Sequence, residues 1–579
     1  MKMSNGWWVL AAFVVGSGCG AGETTPSGDS GPVTDSVVAS DATDGAAVDA
    51  VDTAADPPSP LVEVLSTETQ HPVEADLVLA RIQGKGLGVD VHVEGMLRNA
   101  GLWIDPDNYE DADYPFAVVL RDAEGVEVFR DTLREPIQIR EFVGNALATS
   151  TLPVDVMTAY PELGDFGALI PTDSGAERLL FERTELDGTV TVMGEYVLAD
   201  IPEMDSHPLA NSPVVQVSGN THPSEALDIV VLGDGYTAEE MSIFHTHAAK
   251  VTAQFSQIDP YSRYADRINF YRIDVPSKES GASFDCSNDQ TIEGCVDAFR
   301  DTAFETIFPL RIAVVLGLDV SDRAIFPLNQ WGLYQLAAKV PFDKIIVLVN
   351  TKKYGAFGLY HATLNAYQPA MSVVAVHEFG HAFALLGDEY IVEGDICQQY
   401  LLTPDYPNIA ELGSKPTEVK WQTWLDPGVP LPTPLDDPEW TNAVGLFEGA
   451  GGGCVDLFRP KKDCLMRSSS GGPPLCPICM EQTVRRFYEY FDILGPDGLQ
   501  VVDGGLVPDT PPDLKLQGEW TVDGVPSGPA KHPLVLEAPE EGSVEYEVGL
   551  LVRESTLTVR RGVERMDEKL TATVRVTAP

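Results

Sequence analysis

The sequence predicts an α/β unit, with α+β elements, flanked by β-sandwich domains on both sides. Residues 61–205 and 505–579 alternate apolar and polar side chains, as half-buried antiparallel strands do. Between about 210 and 495 the apolar runs become continuous, as in strands covered on both faces, and segments of helical spacing separate them. A chain of 579 residues is longer than one ordinary domain, and an apolar fraction of 44% supplies several cores. The formal charge of −50 excludes the basic footprint of a nucleic-acid binder and disfavours attraction to anionic membranes. Acidity of this kind also keeps an exported protein soluble.

The first 19 residues read as an export signal. Lys2 precedes the apolar run "WWVLAAFVV", and the small residues "GSGCG" follow. The run is too short for a permanent membrane helix. Its exit resembles a bacterial lipobox with Cys19 as the lipidated residue, although Gly16 stands where such boxes usually carry leucine. Gly20 follows in place of an inner-membrane-retaining aspartate, so an outer-membrane lipoprotein exposed at the cell surface is expected, with plain secretion as the alternative. Residues 20–60 hold no Lys, Arg or aromatic residue and predict a disordered acidic tether.

The folded elements follow in order. "ADLVLARIQ", "GVDVHVEGML" and "YPFAVVLRD" are the strands expected of an N-terminal β-sandwich over 61–205. In the α/β unit, "LDIVVLG", "LRIAVVLGL" and "FDKIIVLVN" are candidate buried strands. Thr237 is a predicted N-cap and Glu240 its capping-box partner, opening the helix "MSIFHTHAAKVTAQF". His245 and His247 on that helix are two apart, diverge, and are read as surface residues. "SVEYEVGLLVRESTLTVRRG" and "KLTATVRVTAP" alternate again and predict a small C-terminal sandwich over 505–579.

"VVAVHEFGHAFALLGDEY", from Val373 to Tyr390, carries the chemistry. Residues four apart on a helix lie about 40° apart around its axis, so His377 and His381 share a face and can bind one zinc ion. Glu378 sits beside them, placed to take a proton from a metal-activated water. The bland alternative is two histidines that merely share a helix. A third ligand is expected from Asp388, just past a turn at Gly387, or from a glutamate on a later helix, with Glu393, Glu411 and Glu418 as candidates.

Several stretches together resemble the secreted zinc metallopeptidase family named for an immunoglobulin A peptidase, a metzincin-like branch. They are "IVVLGDGYTAEEM", "INFYRIDVPSKESGA", "FDKIIVLVNTKKYG", the HExxH segment, "YPNIAELGSKPTEVKWQTWL" and "GLFEGAGGGCVDLFRPKKDCLMRSSSGGPPLCPICMEQTVRRF". The resemblance covers about 225–490 and implies a zinc metallopeptidase domain over 210–495. It implies one catalytic Zn2+ held by His377, His381 and Asp388, with Glu378 as acid/base. Met466 falls where a metzincin's methionine turn passes beneath the zinc. Two departures stand out. Ala384 occupies the usual glycine position three residues after the second histidine, and Asp388 comes one residue later than the usual third ligand.

The implied activity is a zinc endopeptidase acting on extracellular proteins or peptides; specificity for immunoglobulin does not carry over. Two rivals are an inactive, surface-displayed binding lipoprotein and a zinc amidase acting on cell-wall peptides. Neither composition nor motif sets the oligomeric state.

Beyond Cys19, the cysteines Cys286, Cys295, Cys397, Cys454, Cys464, Cys476 and Cys479 predict disulfides in an exported chain. Cys286 and Cys295 form the expected short-loop pair. Cys454, Cys464, Cys476 and Cys479 are read as a disulfide cluster, favoured over redox chemistry or a second zinc at the Cys476–Cys479 pair. Ser468–Gly472 is read as a loop. Tyr354, Tyr390 and Arg467 are alternatives for stabilising an oxyanion.

Overall fold

A computed structural model describes residues 60–579 except 69–72, 86–87, 105–115, 134–164, 185–187, 205–206, 285–297, 309–324, 359–360, 391–405, 412–418, 452–453, 469–472, 496–497, 511–515, 556–557 and 562–565. The export signal with Cys19, the tether, Cys286, Cys295, Cys397, Glu393, Glu418 and the run "LRIAVVLGL" therefore lie largely or wholly outside the described residues.

The site rests on a six-stranded mixed sheet. Its strands are β1 (Val214–Ser218), β2 (Leu227–Asp234), β3 (Ile268–Ile273), β4 (Lys344–Val349), β5 (Ala356–Gly358) and β6 (Ala362–Asn365). The order is β5-β6-β4-β2-β3-β1. β2 runs parallel to β3 and β4, and β4 parallel to β6, while β5 and β1 close the two edges antiparallel. Every residue of β2 and β4 is buried, as their unbroken apolar sequences require.

Among the described residues, four α-helices accompany it: α1 (Met241–Phe255), α2 (Gln330–Ala337), α3 (Met371–Ala384) and α4 (Pro477–Phe487). The turn before α1 forms as its sequence predicts, with the Thr237 amide donating to Glu240 Oε2 at 3.0 Å. His247 on α1 is buried, not exposed, and its Nδ1 lies 2.9 Å from the Tyr236 hydroxyl. The apolar stripe Phe244, Ala248, Val251 and Phe255 turns that side of α1 inward, and the partner hydroxyl makes burial of the ring tolerable. His245 stays half-exposed and meets Asp274 at 3.0 Å.

α3 carries HExxH and is buried on nearly all sides, which suits a helix with so little polar surface. Phe379 packs edge-on against Phe255 of α1, with ring centroids 5.1 Å apart. Phe383 meets Phe487 of α4 at 5.2 Å. Such pairs contribute about 0.5–1.5 kcal/mol each beyond simple burial, so α3 is gripped between two helices.

Two antiparallel sheets precede this unit. One orders Gly88–Ile104, Val73–Lys85 and Asp165–Pro171; the other orders Glu127–Thr132, Phe116–Arg121, Arg178–Thr184 and Val190–Val197. Val78, Ile82 and Phe166 of the first share a core with Phe116, Val118 and Phe181 of the second.

The first described strand, Leu61–Glu68, does not join them. It pairs antiparallel with Asp567–Thr577 and completes a five-stranded sheet with Ser543–Glu554, Leu516–Val522 and Val525–Pro529. Its alternation looks the same whichever sheet it enters, so the partner is invisible locally. The inner face of this sheet, including Trp520, Val548 and Val574, shares one core with Phe487 and Phe491 of the helical unit.

Candidate metal centre

α3 brings His377 and His381 to one face, and Asp388 returns to meet them. Asp388 Oδ1 lies 3.1 Å from His377 Nε2 and 3.2 Å from His381 Nε2, and the two Nε2 atoms are 3.2 Å apart. Three atoms with nearly equal separations form one face of a small tetrahedron. Ligand–metal bonds of about 2.0 Å imply edges of about 3.3 Å, so the donor set fits a zinc-sized ion with a fourth position left for substrate or water.

The rest of the site keeps these atoms available. His377 Nδ1 is 3.0 Å from the Leu465 carbonyl and His381 Nδ1 is 2.5 Å from the Leu386 carbonyl. Nδ1 must donate to a carbonyl, which leaves the lone pair on Nε2, directed into the triangle.

The charges agree. Burial opposes ionisation of Asp388, yet the two imidazoles hold its carboxyl far below the usual range. Burial also opposes the His381 imidazolium, but Asp388 and Glu378 outweigh it and lift the group to about 9. The pocket therefore favours positive charge. Glu378, also buried, has its carboxyl raised by burial and pulled back by the two histidines.

The turn that delivers Asp388 lies at Leu385, not at Gly387. α3 ends at Ala384, and Leu385 takes the left-handed conformation at φ 54° and ψ 37°. The amides of Leu385 and Leu386 then donate to the His381 and Gly380 carbonyls, both at 3.2 Å. Gly387 serves close packing instead: a Cβ there would come within 2.4 Å of Ile409 Cδ1. Asn408 brackets it, accepting from its amide and donating to its carbonyl, both at 2.8 Å. Asn408 was not singled out from sequence, and only its place in "YPNIAEL" hints at it.

Met466 is fully buried beneath α3, its thioether against Gly380, and its carbonyl accepts from the Glu389 amide at 2.8 Å. Glu411 is exposed on Ala410–Glu411, paired to Cys454–Arg459, so the described alternative to Asp388 lies away from the triangle. Among the oxyanion candidates, Arg467 is ion-paired with Asp463 at 2.9 Å, Tyr354 is exposed just before β5, and Tyr390 directly follows Glu389.

Of the four cysteines expected to form a disulfide cluster, three have described side chains, and none of those three is in a disulfide. Cys464, Cys476 and Cys479 are buried free thiols gathered around Glu389. An acid pair and a CxxC that are distant in sequence meet because Glu389 follows Asp388 and Cys464 precedes the methionine segment. Cys454 begins a strand, and its side chain lies outside the described residues.

Residues 215–443 match the sequence model of a family described as IgA Peptidase M64. The match spans α3 and Asp388 and ends before Met466 and the three thiols. No curated protein matches the chain.

Proposed function

Through residues 215–443 the chain belongs to the IgA peptidase M64 family, and from that premise we propose that it is a zinc-dependent endopeptidase of extracellular proteins. The observation that carries the reading is the triangle of His377 Nε2, His381 Nε2 and Asp388 Oδ1, with Glu378 on the same buried helix. A zinc ion in that triangle would polarise the scissile carbonyl and bring the pKa of water to about 7.

The remaining work falls to the chain itself. His377, His381 and Asp388 would hold the ion, and carbonyls fix both imidazole rings from behind. Glu378 accepts the proton of the attacking water and returns it to the leaving nitrogen. Burial raises its carboxyl above the range of an exposed glutamate. Met466 packs its thioether against Gly380, the residue before His381.

Glu378→Gln tests the assignment. The variant is expected to keep its metal and lose about 100- to 10,000-fold in peptide turnover. Near-normal hydrolysis by that protein refutes the assignment.

A further inference from the structure

We propose that Glu389, Cys464, Cys476 and Cys479 hold a second, structural zinc ion that ties the Asp388 segment to the Met466 segment. This goes beyond the catalytic reading and does not depend on it. One donor atom from each of the four residues lies within 4.8 Å of the others, and all four are buried.

Spacing is the first argument. The sulfurs of Cys464 and Cys479 are 3.8 Å apart, and Glu389 Oε1 lies 3.2 Å from Cys479 Sγ and 3.9 Å from Cys476 Sγ. A tetrahedral zinc with Zn–S bonds of about 2.3 Å and a Zn–O bond of about 2.0 Å has S–S edges of about 3.8 Å and S–O edges of about 3.5 Å. These three separations stand close to those edges, and no two of the four donor atoms are more than 4.8 Å apart.

The chemistry of the surroundings is the second. The Cys476 amide donates to Cys464 Sγ at 3.2 Å, and the Cys479 amide to Cys476 Sγ at 3.5 Å. Cys476 is the N-cap of α4 with Pro477 behind it, so the positive end of the helix faces the sulfurs. Two of the three sulfurs, Cys464 and Cys476, thus each receive a backbone N–H, which supports negative charge on them beside a cation. The Arg459 guanidinium stands close enough to attract Glu389 and Cys464, offsetting the negative charge that three thiolates and a carboxylate leave around one zinc.

The carboxylate is the third. Glu389 is fully buried; Oε1 accepts from Asn408 Nδ2 at 3.0 Å, but Oε2 has no hydrogen-bond partner among the described residues. Such an atom is costly in a protein interior unless it meets a cation. A disulfide would join two of the thiols and leave the third beside that carboxylate, so it resolves neither problem.

The test uses the full chain with His377→Ala and His381→Ala combined, which removes the first ion's ligands and touches no residue of the second site. After dialysis the variant is expected to retain one zinc per chain, against two in the unaltered protein. Its X-ray absorption should show three sulfur neighbours at about 2.3 Å and one lighter neighbour. Should the variant not fold, absorption by the unaltered protein decides the matter, with three sulfurs shared between two zincs expected. A sulfur-free zinc environment overturns the proposal, as does a disulfide between any two of Cys464, Cys476 and Cys479 in peptide mapping without reductant. One zinc with only sulfur-rich ligation in the unaltered protein would instead support this site and refute the catalytic ion.

Discussion

Gly358 lies on the edge strand β5, and a methyl group added there probes how tightly helix α3 is held. A Cβ at Gly358 would sit 2.3 Å from the Glu378 carbonyl oxygen and 2.8 Å from His381 Cβ, where ordinary contacts begin at 3.4 Å. The shortfall is about 1 Å, and both obstacles belong to the frame of α3, so strand and helix must part. Overpacking of this kind costs about 1–3 kcal/mol, which lowers the melting temperature by about 2–4 °C per kcal/mol in a unit of 150–250 residues. The displaced residues include the proposed base and a proposed ligand, and a shift of about 1 Å at reacting groups costs about 100-fold in rate.

Gly380→Ala is the control, on the other side of the same helix. Its Cβ would meet Met466 Sδ at 2.9 Å, and a thioether can rotate away. Neither glycine has a positive φ, and an alanine inside a helix contributes about 0.5–1 kcal/mol relative to glycine. The expected result is a near-neutral melting temperature and an activity loss below about tenfold, well short of the 100-fold loss above. Turnover, zinc content and calorimetric melting of the two variants decide between them. Wild-type turnover in Gly358→Ala, or a larger loss in Gly380→Ala than in Gly358→Ala, refutes the picture of α3 wedged between a rigid strand and a yielding methionine.

Asp388→Ala is expected to lose the catalytic zinc on dialysis and peptide hydrolysis with it, while sulfur-bound zinc remains; retention of the nitrogen-ligated zinc returns the third ligand to another residue. A pH effect should come from the buried pair Asp228 and Asp343, whose carboxyls burial pushes up to about 8 and about 7, with mutual repulsion adding to the rise at Asp228. The folded pair keeps a proton that the unfolded chain has lost, so stability falls as pH rises from about 4 to about 8. Asp343→Asn, whose amide oxygen can still accept from the Asp228 amide as Oδ2 does at 2.7 Å, should flatten that slope and melt higher than wild type near pH 8; identical slopes in the two proteins would exclude the pair as its source. Finally, Cys19→Ser should move the protein from membranes to the soluble fraction, whereas an intact mass lacking a lipid on Cys19 in the unaltered protein would mean simple secretion.

What was legible in the sequence is what repeats along it. The unbroken run of Leu227–Asp234 pointed to a central strand because burial on both faces leaves no polar period. His377 and His381 could be placed on one face because helical geometry is local. The partners of elements are not local, which is why Leu61–Glu68 looked like the start of the N-terminal unit and belongs to the C-terminal sheet. The thiols misled for a related reason. Cys464, Cys476 and Cys479 suggested one another as partners, and nothing near them in sequence announced Glu389, which lies 75 residues before Cys464 in the numbering and reaches the cluster only through the Met466 segment.

The late position of Asp388 has a physical account in the turn before it. The metzincin string that the HExxH segment resembles has a glycine three residues after the second histidine and its third ligand three residues later. Ala384 holds that glycine position here and is still helical, while Leu385 makes the left-handed step. Asp388, whose carboxylate meets His377 and His381, comes three positions after the turning residue Leu385. A leucine in that conformation carries about 1–2 kcal/mol of strain that glycine would avoid. Leu385 is only 7% exposed, and losing a buried leucine side chain costs about 2–5 kcal/mol. Burial outweighs the strain, so the side chain of Leu385 holds the turn in place although its backbone preference opposes it.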